Sequence, residues 1–128
     1  MKPITDAPGE ILERLQASGL RGRGGGWYPA AAKWRAVKAE GGVPFVIGNG
    51  AEGEPGSIKD RHLMLHRPAE ILEGLAVAAR ALGAEEATVY LKGSFEKPAA
   101  ALSAALRDGR VDGVAVRIHR GADSYIAG

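Results

Sequence analysis

Apolar positions recur along the chain with two periods, and glycine or proline stands wherever one period gives way to the other. Ile11, Leu12 and Leu15 share one helical face, with Asp6 as a cap, Pro8 in the opening turn and Gly19 as a stop. A glycine-rich segment follows. Pro29 suits a first helical position, and Ala30–Ala39 is a strong helix former. Pro44–Asn49 reads as a short buried strand with a glycine-rich exit. Ser57 opens a capping-box-like helix to about His66. Pro68 opens another over Ala69–Leu82, with Ile71, Leu72, Leu75, Ala79 and Leu82 inward and Gly83 as its stop. Ala87–Lys92 reads as a strand, and Ser94 caps a helix to about Arg107 that tolerates Pro98 early on. Val114–His119 alternates, with Val114, Val116 and Ile118 on one face. Strands separated by helical crossovers imply a Rossmann-like, three-layer α/β domain. A short parallel sheet is flanked by helices and preceded by an N-terminal helix and the glycine loop. The pattern halts at Tyr125–Gly128, directly after a strand. It predicts one domain over residues 1–128, either the first half of something larger or a domain cut to a minimum.

Composition narrows the chemistry. At 128 residues, with 45% apolar and 25% charged positions, the chain holds one modest core. A net charge of +2 gives no basic field for nucleic acid. Cysteine is absent, so these residues offer no thiolate to an iron–sulfur cluster, no disulfide and no thiol nucleophile. His62 and His66 sit one helical turn apart, but no HExxH pattern surrounds them, so no metal site is expected. No apolar run is long enough to span a bilayer, and the N-terminus is too polar for a signal peptide, so no direct membrane insertion and a cytoplasmic location are expected. Glycine is the anomaly, with 19 residues clustered at segment junctions.

The segment Arg21–Trp34 (RGRGGGWYPAAAKW) concentrates that anomaly. A dinucleotide fingerprint GxGxxG needs a glycine where Trp27 stands and a strand where a helix is expected, so that reading is rejected. Bare backbone N–H groups can still approach a flat or anionic ligand, and the loop runs into a helix N-terminus. Arg21, Arg23 and Lys33 add positive charge. The alternative is a glycine loop with solvated arginines. Trp27, Tyr28 and Trp34 are either a stacking surface for a heterocycle or core, with Trp34 read as core. A second loop, Asn49–Gly56, leaves the carboxyl end of a strand, the edge where open parallel sheets bind ligands. The Asn49 amide both donates and accepts, which suits a ring edge bearing carbonyl and N–H groups. Glu52 and Glu54 would fix hydroxyls or an amide, or else be solvated turn residues or ion partners of Arg21 and Arg23.

Three motifs in order, SGLRGRGGGWYP…KW, NGAEGEPGSIKDR and HRGADSYIAG, resemble the N-terminal, FMN-binding part of the flavoprotein subunit of respiratory complex I. Diaphorase subunits of NAD-reducing hydrogenases and formate dehydrogenases are similar. The NGAE of the second motif also resembles the C subunit of Rnf-type complexes. The resemblance implies an NADH:acceptor oxidoreductase in which NADH gives a hydride to FMN and electrons pass to a partner subunit. It implies FMN contacts at Gly22, Arg23, Gly24, Gly25, Lys33, Asn49, Glu52, Tyr125 and Gly128, and NADH contacts at Tyr28 and Glu54. It nominates no catalytic side chain. It also implies membership of a larger oxidoreductase complex, peripheral to the inner membrane.

The departures from the family pattern are specific. Trp27 replaces a glycine, Ala36 stands where complex I has a second stacking aromatic, and Ala127 replaces a cysteine. The paired glutamates and phosphate-holding residues of the family would follow Gly128, so FMN is expected to bind only weakly to these residues alone. The ubiquitin-like domain and the four-cysteine iron–sulfur domain are not among them. A degenerate, flavin-free paralogue serving as a structural or partner-docking domain is the competing expectation.

Overall fold

The computed structural model describes residues 7–22, 26–51 and 58–121. In chain order the elements are α1 (Pro8–Ser18), α2 (Ala30–Glu40), β1 (Ile47–Gly50), α3 (Lys59–His66), α4 (Pro68–Leu82), β2 (Glu86–Leu91), α5 (Glu96–Ala105), β3 (Arg110–Val111) and β4 (Val114–Arg120). The sheet runs β1-β2-β4-β3. Its first two pairings are parallel, with Asn49 beside Tyr90 and Tyr90 beside His119. Helices supply both parallel crossovers, as the alternation of periods requires. The expected α/β class is therefore present.

Helix ends follow their local chemistry. Gly19 and Gly83 take the left-handed conformation that closes α1 and α4. Pro29 is the cap of α2 rather than its first helical residue, because its extended ψ of 125° breaks the helix there. The Ser94 cap is corrected to Phe95, and α5 ends at Ala105, since Leu106 is extended and Arg107 already bridges Arg110. Both Asp6 and Ser57 lie outside the described residues.

β3, an antiparallel edge, was not expected. Two Asp-Gly pairs build it. Asp108 and Gly109, then Asp112 and Gly113, all have positive φ, the signature of the tight turns that join adjacent strands. Arg110 N–H donates to Arg107 O across the first turn at 3.0 Å.

The core lies between one sheet face and α3, α4 and α5. Leu72, Leu91 and Leu102 are almost wholly enclosed, with Met64, Leu75, Val89, Phe95, Val114 and Val116 around them. Burying each large aliphatic side chain contributes about 1.5–3 kcal/mol. On the far side of α4, Ile11, Leu12 and Ala81 form a second cluster joined by Trp34 and Val77, so α1 and α2 stack on the helical layer. Trp34 is thus partly buried core. The opposite sheet face carries Thr88 and Tyr90, half-buried, and Arg117 and His119, exposed. Among the described residues no helix packs on that face.

β1 corrects the expected buried strand Pro44–Asn49. The strand is Ile47–Gly50 and lies at the sheet edge, with Phe45 87% and Ile47 65% exposed. Its helix-facing positions are glycines. A Cβ on Gly48 would meet Leu75 Cδ1 at 3.4 Å, an ordinary contact. One on Gly50 would meet Leu91 Cδ2 at 2.7 Å and Met64 Sδ at 2.9 Å. Urea denaturation should therefore separate the two sites: Gly50→Ala should cost about 1–3 kcal/mol by overpacking, and Gly48→Ala almost nothing.

Candidate functional site

The glycine segment is closed at its base by backbone pairing. Gly22 N–H donates to Tyr28 O at 2.9 Å, and Ala30 N–H to Leu20 O at 3.0 Å. The Arg21 guanidinium donates to Trp27 O at 3.0 Å. Trp27 sits at φ 51°, the left-handed region that disfavours a Cβ. The glycine of the family pattern thus falls where the backbone needs one. The indole is 56% exposed and does not bury its bulk in the neck.

α2 starts directly from this neck. Its cap is a proline with no side-chain hydrogen bond, and no acidic residue occupies its first turn. The amides of Ala31 and Ala32 meet no acceptor among the described residues. That helix end is accordingly electropositive. Lys33 Nζ adds a full charge there and lies 5.8 Å from the Tyr28 ring centroid. Exposed Tyr28, Gly22 and Lys33 therefore gather at one end of α2.

Two cavities run from α2 to the carboxyl end of β1. The first, about 510 Å³, is lined by Lys33, Trp34, Gly48, Ile71, Leu75 and Val89, among others. The second, about 200 Å³, is lined by Asn49, Gly50, Asp60 and Met64. Gly48, Ile71 and Val89 border both. Lys33 and Asn49, from separate motifs, thus open on adjoining spaces. Asn49 Oδ1 accepts the Ala51 N–H at 3.1 Å, which fixes the amide against its own turn.

Arg23, Gly24, Gly25, Glu52, Glu54, Tyr125 and Gly128 lie outside the described residues. Sequence reasoning passed over Asp60, which borders the cavity of Asn49 and whose carboxylate pairs with Lys59 at 3.0 Å. The signal was present, because Lys-Asp-Arg belongs to the second motif. Gly48 and Ile71 were also missed as lining residues. The His62 and His66 rings lie 4.4 Å apart, and the described residues contain no cluster of three or more metal-ligating side chains. No helix among them is long and apolar enough to cross a membrane.

The chain is similar to several known proteins. The chain is 40% identical over 134 residues to an NADH-quinone oxidoreductase subunit of Rhizobium meliloti (strain 1021), covering 94% of this chain and 32% of that protein. It is 36% identical to the mitochondrial NADH-ubiquinone oxidoreductase 51 kDa subunit of Neurospora crassa, covering 92% of this chain and 27% of that one. A crystal structure of an air-oxidized NAD+-reducing [NiFe]-hydrogenase superposes with a TM-score of 0.82 at 38% identity, over 93% of this chain and 21% of the hydrogenase chain. The chain spans about a third of the length of the curated relatives it matches. The Nuo51 FMN-binding domain model matches residues 15–128, and the chain belongs to that family.

Proposed function

We propose that this domain holds FMN within an NADH:acceptor oxidoreductase, in which NADH gives a hydride to the flavin and electrons leave to a partner subunit. The observation that carries this reading is that Lys33 and Asn49 line adjoining cavities along β1. The residues fit the cofactor. An electropositive helix start with Lys33 suits the phosphate or an electron-rich ring. A combined space within the usual range of about 300–1,000 Å³ suits a small planar molecule. Gly48, which borders both cavities, adds no side chain to either. Asn49, at the end of β1, would contribute an amide able to donate and accept.

When bound, FMN supplies a two-electron acceptor that no amino-acid side chain provides. The protein's part is orientation and charge. Gly22, with Arg23, Gly24, Gly25 and Lys33, cradles the cofactor. Asn49, Glu52, Tyr125 and Gly128 border it, and Tyr28 and Glu54 receive NADH. Tyr28 is suited to stacking because its ring stands exposed beside Lys33. No side chain is assigned a proton-transfer role, since hydride transfer between two bound rings needs none. Relatives named as oxidoreductase subunits support a place for this chain in a larger assembly, which we place in the cytoplasm at the periphery of the inner membrane.

Titration with FMN, followed by flavin fluorescence, tests the reading. Wild type should quench the flavin with weak affinity, and Lys33→Gln should weaken binding about tenfold, the scale of one charge-assisted contact. Unchanged fluorescence at millimolar FMN would refute flavin binding. Trp27→Gly should raise stability by up to about 1 kcal/mol, because it removes left-handed strain, and should leave FMN affinity equal or better. A loss of affinity would instead assign the indole a contact role.

A further inference from the structure

A third cavity lies on the other side of α2. Residues three or four apart share a helix face, so Ala31, Ala32 and Arg35 lie on the face opposite Lys33 and Val37. The cavity there, about 410 Å³, sits between the end of α1 and the start of α2. Leu15, Gln16, Leu20, Arg21, Pro29 and Arg35 are among the residues that line it. It shares no lining residue with the two cavities assigned to the cofactor.

Hydrogen-bonding groups along this cavity are out of balance. Its backbone acceptors are already used: Leu15 O accepts the Ser18 hydroxyl at 2.6 Å, Gln16 O the Gly19 N–H at 3.1 Å, and Leu20 O the Ala30 N–H at 3.0 Å. Donors are in surplus. Arg21 gives one N–H to Trp27 O at 3.0 Å, and Arg35 gives one to the Gln16 side-chain oxygen. Both acceptors are neutral, and each guanidinium carries five donors. Among the described residues no carboxylate pairs with either arginine, and no acidic residue lines the cavity. The unmatched Ala31 and Ala32 amides belong to residues that border it as well. Two permanent positive charges beside one space repel each other, and an anion between them removes that repulsion.

We propose that this cavity is a second ligand site, for a small organic anion with a carboxylate or phosphate head and a short apolar body. Arg21 and Arg35 hold the head, as guanidinium forks match such oxyanions. Leu15, Leu20 and Pro29 lie against the body. The volume falls within the range of about 300–1,000 Å³ usual for small-molecule sites. This inference does not rest on the flavin reading, since neither arginine is assigned to the cofactor.

Titration of the chain with benzoate, phenyl phosphate and inorganic phosphate, followed by amide NMR, tests it. The Ala31 and Ala32 resonances should shift saturably, with benzoate or phenyl phosphate binding at least about fivefold more tightly than inorganic phosphate because of the apolar lining. The tighter of the two organic probes identifies the head group. Arg35→Gln should weaken binding about tenfold and leave the melting temperature unchanged, because that side chain is exposed. Arg21→Gln should weaken it as much. Lys38→Gln removes the same charge from the far end of α2 and should alter affinity by less than about twofold. An equal loss in Lys38→Gln would reveal diffuse attraction and overturn the proposal. So would unchanged binding in Arg35→Gln, or no saturable shift at tens of millimolar probe. Shifts confined to Gly48 and Asn49 would put the probe in the cofactor cavities and overturn it too.

Discussion

The helix-facing side of β1 carries no side chains, and the ligand end of the molecule depends on that. Met64 and Leu91 close over Gly50 at distances that leave no room for a methyl group. Two residues earlier Gly48 faces Leu75 and Val89 more loosely, and cavities open on either side of it. A strand of ordinary β-formers would fill this space with aliphatic carbon. The cost is a strand with little intrinsic preference for extension, since glycine loses much freedom on ordering. Pairing with β2 over its whole length offsets that cost.

Parallel pairing then decides where the polar groups gather. Each strand of β1, β2 and β4 ends at the same edge, so turns from distant parts of the sequence converge there. α2 lies in the second helical tier, held against α4 by the Ile11, Leu12 and Trp34 cluster. The site is therefore assembled by topology. Its members share little sequence proximity, and α4 is their common support, packing against the sheet on one side and against α1 and α2 on the other.

Much of this was legible in the chain itself. Long amphipathic stretches such as Pro68–Leu82 announce themselves through repeated apolar positions and a terminal glycine. β1 was harder, because Val43, Phe45 and Ile47 look like core residues yet are exposed, and the enclosed positions are glycines that carry no hydropathic signal. The short β3 was missed because two residues give no period. Its Asp-Gly turns were the readable cue. Lys33 and Asn49 stood out by chemistry and loop context. Asp60 did not, since a charged residue on a helix has an ordinary explanation until packing sets it beside a cavity.

The edge position of β1 has a practical consequence. Among the described residues one side of this strand has no neighbour, and Val43 and Phe45 stand more than four-fifths exposed beside it. Backbone donors and acceptors on such a border recruit any extended segment that comes near, and adjacent oily side chains hold it there. In concentrated solution the isolated domain should thus be prone to self-association, so its colloidal behaviour depends on whether that border is shielded.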